Sequence, residues 1–154
     1  MLRRIVFGLV VGTLSATTAF AQAAPAAAAQ AAPTARLFAS DAGMVLNFIK
    51  PDKTADFEMV IGKLKEALHQ SEKPERKQQA ASWKVFKSPD PAAGGNVLYV
   101  FMIDPSVKGA DYTVSTILAE AFPTEVQALY KQYAEAYASG QNFVNLSLVS
   151  DLAK

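Results

Sequence analysis

The sequence predicts an α+β fold with a ferredoxin-like βαββαβ order, that is, a four-stranded antiparallel sheet with both helices on one face. Four segments have the apolar or alternating character of β-strands, and two have apolar residues at helical spacing. These segments follow one another as strand, helix, strand, strand, helix, strand. The first and third strands are the most apolar, and the ferredoxin-like arrangement places these two strands in the middle of the sheet.

The first half of the predicted domain contains a strand, a helix and a second strand. The first strand covers Gly43 to Lys50, with the sequence GMVLNFIK, and the helix is predicted from Thr54 to about Ser71. Five apolar residues form one stripe of this helix: Phe57, Val60, Ile61, Leu64 and Leu68. The polar residues 71–79 predict a connection. Ala81 to Lys87 is the second strand, and its lysines are typical of a sheet edge.

The second half repeats this order after a loop rich in proline and glycine. Asn96 to Ile103 is the third strand, and a helix is predicted over Tyr112 to Ala121. Pro123 breaks or kinks this second helix. The segment after it has an apolar face, which we assign to core packing: Val126, Leu129, Tyr130, Tyr133 and Tyr137. Gly140 suits the end of the helix, and Asn142 to Val149 is the last strand.

The first 36 residues are predicted to lie outside the folded domain. Residues 1–21 have a basic start, an apolar core and a small-x-small cleavage site, so they predict a secretory signal peptide. An uncleaved membrane anchor is the alternative. Residues 22–36 consist almost wholly of Ala, Pro and Gln and predict a disordered linker. The domain therefore covers residues 37–154, and the predicted location is the periplasm or the extracellular space.

Composition excludes several classes of function. The 154 residues include no cysteine, which excludes disulfides, thiolate metal sites, a cysteine nucleophile and a lipoprotein anchor. Once the two arginines of the signal peptide are removed, 13 basic residues face 14 acidic ones. This balance gives no signature of nucleic-acid binding or of membrane binding after signal cleavage. No phosphate loop, serine nucleophile elbow or HExxH motif is present, so the sequence assigns no cofactor and no metal ion.

The strands divide into two faces because successive side chains alternate. We assign the wholly apolar set to the side of the helices: Met44, Leu46, Phe48, Leu98, Val100, Met102, Val144, Leu146 and Leu148. The mixed set is assigned to the helix-free face: Val45, Asn47, Ile49, Val97, Tyr99, Phe101, Ile103, Phe143, Asn145, Ser147 and Val149. Large apolar groups would not gather on a solvated face. We therefore expect a homodimer that forms through the helix-free sheet face.

Two stretches carry a resemblance to a known superfamily. FIKPDKTADFEMVIGKL is similar to the strand–loop–helix opening of antibiotic-biosynthesis-monooxygenase-like domains, and EAFPTEVQALY is similar to their second-helix region. The pattern from Gly43 to Val149 thus resembles the dimeric α+β barrel superfamily. This resemblance implies that two sheets close face to face and that a small hydrophobic ligand binds between sheet and helices.

The ligand-binding candidates are polar or aromatic residues of the strands: Asn47, Trp83, Tyr99, Asn145 and Ser147. The resemblance implies that Asn47, Trp83 and Tyr99 could hold an aromatic or phenolic substrate of a cofactor-independent monooxygenase. An amide can hydrogen-bond a phenolate, and an indole offers a flat wall. The alternative is that Asn47 and Asn145 pair across adjacent strands and satisfy each other within a dimer interface.

His69, the only histidine, lies near the end of the first predicted helix. Haem-degrading members of the superfamily that the chain resembles carry a histidine near the second helix. The position of His69 on the first helix therefore does not match a haem ligand, and an ordinary helix-end role is favoured. Three functions remain open: an exported domain that binds a small hydrophobic ligand or a partner, a cofactor-independent monooxygenase, and a purely structural envelope protein. The sequence assigns no catalytic residue and favours a function without catalysis.

Overall fold

A computed structural model describes residues 35–153 of the protein. The predicted signal peptide and most of the predicted linker lie outside the described residues. Within the described part of the chain, no helix is long and apolar enough to cross a membrane.

The described residues form an α+β domain with one four-stranded antiparallel sheet and four helices, which is compatible with a ferredoxin-like fold. The elements are β1 (Ala42–Ile49), α1 (Thr54–Gln70), α2 (Pro74–Ser82), β2 (Trp83–Pro91), β3 (Val97–Ile103), α3 (Val114–Ala121), α4 (Val126–Ala136) and β4 (Tyr137–Leu146). The strand order is β2-β3-β1-β4. The two most apolar strands, β1 and β3, therefore lie in the middle, as their composition predicts.

The helix α2 lies where the sequence predicts a polar connection, so that prediction is wrong. Pro74 occupies the first turn of the helix, where its missing N–H costs nothing. The residues that α2 buries are polar and include Arg76 and Gln79. Arg76 forms two hydrogen bonds to Glu120, of 3.0 and 3.1 Å, and a third of 2.6 Å to the carbonyl of Asp111. Polar contacts rather than an apolar stripe thus fix this helix, and hydrophobic periodicity does not detect it.

β2 and β4 also differ from the prediction at both ends: Ala81 belongs to α2, and β4 ends at Leu146, before Ser147 and Val149. β2 continues to Pro91, and β4 begins at Tyr137, directly after α4. Gly140 therefore lies inside a strand and does not end a helix. The early start of β4 pairs Gln141 with Asn47 on β1. Helical spacing alone would continue α4 through Tyr137. The pairing of Tyr137 with Ile49 of β1 instead begins the strand there.

The two faces of the sheet are the reverse of those predicted. Along β1, Val45, Asn47 and Ile49 are buried, whereas the alternate residues are only partly buried. The Phe57 ring of α1 lies 4.7 Å from the ring of Tyr99, which places the helices on the mixed face. The wholly apolar set therefore forms the helix-free face. The helices carry rings and polar groups that match those of the mixed set, so amide and hydroxyl groups are satisfied inside the core.

The start of the described chain packs onto the same face as the helices. Phe38 is 3% exposed, and its ring stacks on Phe143 at 4.1 Å and meets Tyr112 edge-on at 5.0 Å. A Cβ atom on Gly43 would lie 2.0 Å from the Phe38 ring. Only glycine therefore lets Phe38 lie across β1 at this point.

Candidate ligand-binding site

A cavity of about 520 Å³ lies between the sheet and the helices α3 and α4. Its walls include Val45 from β1, Val114 from α3 and Ala134 from α4. Six aromatic side chains also line it: Phe101, Tyr112, Tyr130, Tyr133, Tyr137 and Phe143. We call it the tyrosine cavity. Its volume and its mainly apolar lining are typical of small-molecule sites.

Asn47 lies beneath this region and is fully buried. Its amide nitrogen donates at 3.1 Å to the carbonyls of Val45 and Tyr99. Its Oδ1 accepts from the Tyr137 hydroxyl at 2.9 Å and from Gln141 Nε2 at 2.7 Å. Both ends of the amide are thus satisfied, and Asn47 acts as a fixed anchor for the side chains around it.

The polar groups that Asn47 anchors reach the cavity lining. The Tyr133 and Tyr137 hydroxyls lie 2.6 Å apart, and Gln141 Nε2 lies 3.0 Å and 2.8 Å from them. Burial raises the pKa of Tyr133 to about 12, and burial also raises the pKa of Tyr137. Both phenols are therefore protonated at neutral pH, so they offer hydrogen bonds but do not act as bases.

Arg36 joins this network from the opposite end of the chain. Its backbone N–H donates to Asp111 Oδ1 at 2.8 Å and to Thr113 Oγ1 at 3.2 Å, which fixes it beside the start of α3. Its Nη1 donates to Gln141 Oε1. Arg36 also lines the tyrosine cavity, and its guanidinium forms no ion pair with the described carboxylates. A guanidinium thus lies at one end of a cavity of aromatic rings.

Tyr99, one of the predicted candidates, directs its hydroxyl elsewhere. The hydroxyl donates to Glu58 Oε1 at 2.5 Å, and Lys87 Nζ bonds the same oxygen at 2.9 Å. Burial and the bond to Glu58 raise the pKa of Tyr99. The hydrogen bonds from Tyr99 and then Lys87 lower the pKa of the Glu58 carboxyl. The Tyr99 hydroxyl is therefore committed to α1 and β2.

Trp83 and His69 line a second cavity, of about 280 Å³, between α1 and β2. The indole packs edge-on against Phe101 at 5.5 Å and lies 5.4 Å from the Tyr112 ring. Its Nε1 is buried and has no hydrogen-bond partner among the described residues. Trp83 therefore does not share a cavity wall with the groups around Asn47, although it belongs to the same core.

Asn145 and Ser147 lie on the surface near the start of the domain. Asn145 Oδ1 accepts from the backbone N–H of Ala39 at 2.8 Å, and Ser147 Oγ lies 3.5 Å from Ser40 Oγ. The strand register places Asn145 opposite Gly43, four residues away from Asn47 along β1. The predicted pairing of Asn47 with Asn145 is therefore wrong, and Gln141 takes that place.

Sequence reasoning singles out Asn47 but misses four other residues of the site. The sequence assigns Tyr133 and Tyr137 to packing and Arg36 to the linker, and nothing in it points to Gln141. The sequence offers one weak signal for Arg36, a charged side chain at the end of an Ala/Pro-rich segment. Within residues 35–153, no cluster of three acidic or histidine side chains could hold a metal ion.

Comparison of the chain with protein-family models, with curated proteins and with solved structures finds no match. The resemblance to the dimeric α+β barrel superfamily therefore stays a prediction.

Proposed function

We propose that the protein is a binding domain that takes up a small, largely apolar molecule in the tyrosine cavity. The observation that carries this proposal is the cavity itself, about 520 Å³ in volume and lined by six aromatic rings. Polar groups are concentrated at one end, where Arg36, Gln141 and Tyr133 meet. An apolar pocket with a few convergent polar groups can bury a ligand and fix its orientation.

The monooxygenase alternative receives less support. It requires Asn47, Trp83 and Tyr99 around one substrate. Asn47 has both ends of its amide bound to protein, the Tyr99 hydroxyl is bound to Glu58, and Trp83 lines the smaller cavity. A substrate in either cavity would therefore meet at most one of the three functional groups.

Binding can be measured with N-phenyl-1-naphthylamine, an uncharged fluorescent probe of apolar pockets. We expect saturation at one molecule per chain with a dissociation constant on the order of 10 µM. Ala134→Phe places a ring into the cavity from α4 and should weaken binding at least tenfold.

Ala128→Phe is the matched control, because Ala128 lies on the same helix, is also exposed, and is not among the residues that line the cavity. It should bind the probe as the unmodified chain does. Absence of a fluorescence response from the unmodified chain would contradict the proposal, and so would an equal loss in both variants.

We also propose the finer assignment of the fold. In it, α3 and α4 represent one helix broken at Pro123, α2 is an added helix, and the domain has the βαββαβ order of the dimeric α+β barrels. The helix-free face supports a dimer, because the central strands present only apolar side chains there: Met44, Leu46, Phe48, Leu98, Val100 and Met102. A twofold contact would place this patch against its own copy.

Sedimentation velocity at about 10 µM tests the dimer. Val100→Lys introduces a charge at the centre of the helix-free face and should give a monomer. Met59→Lys is the control, since Met59 is 40% exposed on α1 and lies outside that face. A monomeric unmodified chain would rule out this account of the apolar face.

Export is the third part of the proposal. The basic start, apolar core and small-x-small site of residues 1–21 support a periplasmic or secreted protein. N-terminal sequencing of protein recovered from the periplasm or the medium should begin at Gln22. Recovery of the full-length chain from the cytoplasm alone would contradict it.

A further inference from the structure

We infer that the ligand of the tyrosine cavity is an amphipathic anion whose single carboxylate-like group binds to Arg36. This inference rests on the proposed function and names the chemical class of the ligand. The apolar part of the molecule lies among the aromatic rings. Its anionic end lies where Arg36, Gln141 and the first turn of α3 converge.

The charge distribution of the cavity supports an anion. Arg36 is the one charged side chain among the described residues that line the cavity. A cationic ligand would meet the like charge of Arg36. A dianion would find only one positive side chain in the lining. Arg36 is exposed and bonds to Gln141, so a neutral ligand would leave the guanidinium solvated but would forgo a charge-assisted contact with it.

The guanidinium is free to take a ligand because the protein does not neutralise it. None of the ion pairs of residues 35–153 includes Arg36, and the first 34 residues contain no Asp or Glu. The Asp111 carboxylate is engaged by the backbone N–H groups of Arg36 and Thr113, both at 2.8 Å. Arg36 donates one N–H to Gln141, and the planar guanidinium has further N–H groups for a bidentate contact.

The start of α3 acts in the same direction. Thr113, Val114 and Ser115 line the cavity, so the positive end of the α3 dipole faces it. The Tyr133 hydroxyl adds no free donor there, because Tyr137 donates its proton to Asn47 and the proton of Tyr133 then fills the 2.6 Å contact between the two hydroxyls. A guanidinium and a helix N-terminus therefore lie beside the position of the anion, while aromatic rings line much of the rest of the cavity.

A matched pair of probes separates charge from shape. 2-Naphthoate is anionic at pH 7, and 2-naphthamide has the same ring system without the charge. Isothermal titration calorimetry should show at least tenfold tighter binding of 2-naphthoate to the full mature chain. Arg36→Gln should weaken 2-naphthoate binding about tenfold, and it should change 2-naphthamide binding by less than twofold.

Lys77→Gln is the control for net charge. Lys77 is exposed on α2, and this substitution removes one positive charge, as Arg36→Gln does. It should leave both affinities unchanged. Arg36→Lys keeps the charge but loses the planar fork, so an intermediate affinity is expected. If Arg36→Gln fails to fold, Arg36→Lys still tests the assignment, since unchanged affinity for 2-naphthoate in that variant would count against a bidentate contact.

The outcomes distinguish the inference from the proposed function. Equal affinity for the two naphthalene probes, or an Arg36→Gln variant that binds 2-naphthoate as tightly as the unmodified chain, overturns the anion assignment. If N-phenyl-1-naphthylamine still binds in a manner sensitive to Ala134→Phe, the cavity proposal stands without it. If none of the three probes binds, both are wrong.

Discussion

The two faces of the sheet are both rich in large apolar side chains, yet they differ in how polar atoms are treated. On the helix-covered face, Asn47 and Tyr99 lie among the rings, and their polar groups are hydrogen-bonded to helices or to neighbouring strands. On the helix-free face, β1 and β3 present apolar groups alone. A polar residue in an apolar strand can thus mark the side of the core, because only the core supplies fixed partners for it.

A reciprocal swap of neighbouring residues gives the strongest test of this difference. Asn47→Leu preserves the shape but removes the acceptor of Tyr137 and Gln141, so it should lower the free energy of unfolding by about 3 kcal/mol. Leu46→Asn places an amide on the helix-free face, where water can reach it in the monomer. It should cost less than about 1 kcal/mol. Urea unfolding at low protein concentration measures both, and equal losses would contradict the assignment of the faces.

Alkaline unfolding gives the next largest effect. The unfolded chain loses its tyrosine protons near pH 10, whereas burial holds the pKa of Tyr133 at about 12 in the folded state. The protonated form is favoured by folding, so its contribution is complete below pH 10 and is lost as the pH rises towards 12. The loss for this residue is roughly 2 kcal/mol. Tyr133→Phe should flatten the decline above pH 10, and an unchanged slope would show that Tyr133 is not buried in this way.

The smallest effect concerns a single hydroxyl. Tyr137→Phe removes the donor to Asn47 Oδ1, which keeps its bond from Gln141, so a loss of about 1 kcal/mol is expected. Tyr130→Phe removes an equivalent group from a ring that is 48% exposed, and no measurable loss is expected. Thermal or urea unfolding compares the two variants. A larger loss for Tyr130→Phe would place the important hydroxyl outside the network.

Hydrophobic periodicity predicted the elements whose buried residues are apolar. β1, α1 and β3 lie close to their predicted positions, and the buried face of α1 includes Phe57 and Leu64 as expected. The helix α2 was missed because it is held by Arg76 and Gln79, whose partners are distant in sequence. Alternation along a strand separates two sets of side chains, but it does not say which set meets the helices. That choice depends on the groups that the helices carry.

The candidate site was predicted only at its centre. Asn47 stood out as an amide in an apolar strand, and it is the anchor of the polar network. Its partner Gln141 was not predictable, because their pairing depends on a β4 strand that begins at Tyr137, five residues earlier than the predicted start. Arg36 lies at the edge of a low-complexity segment, and its role depends on contacts to residues more than 70 positions away. Such partnerships are properties of register and of tertiary contacts.

The close approach of Phe38 to Gly43 gives the proposed binding site a remote determinant. Any side chain at Gly43 would displace the Phe38 ring, and Arg36, only two residues earlier, would move with it. A survey of substitutions should therefore find Gly43 as intolerant as a residue that touches the ligand, although it lies outside the cavity lining. Gly43 would thus influence ligand affinity by holding the segment from Arg36 to Phe38 in place. Selection for binding would then preserve a residue that does not contact the ligand.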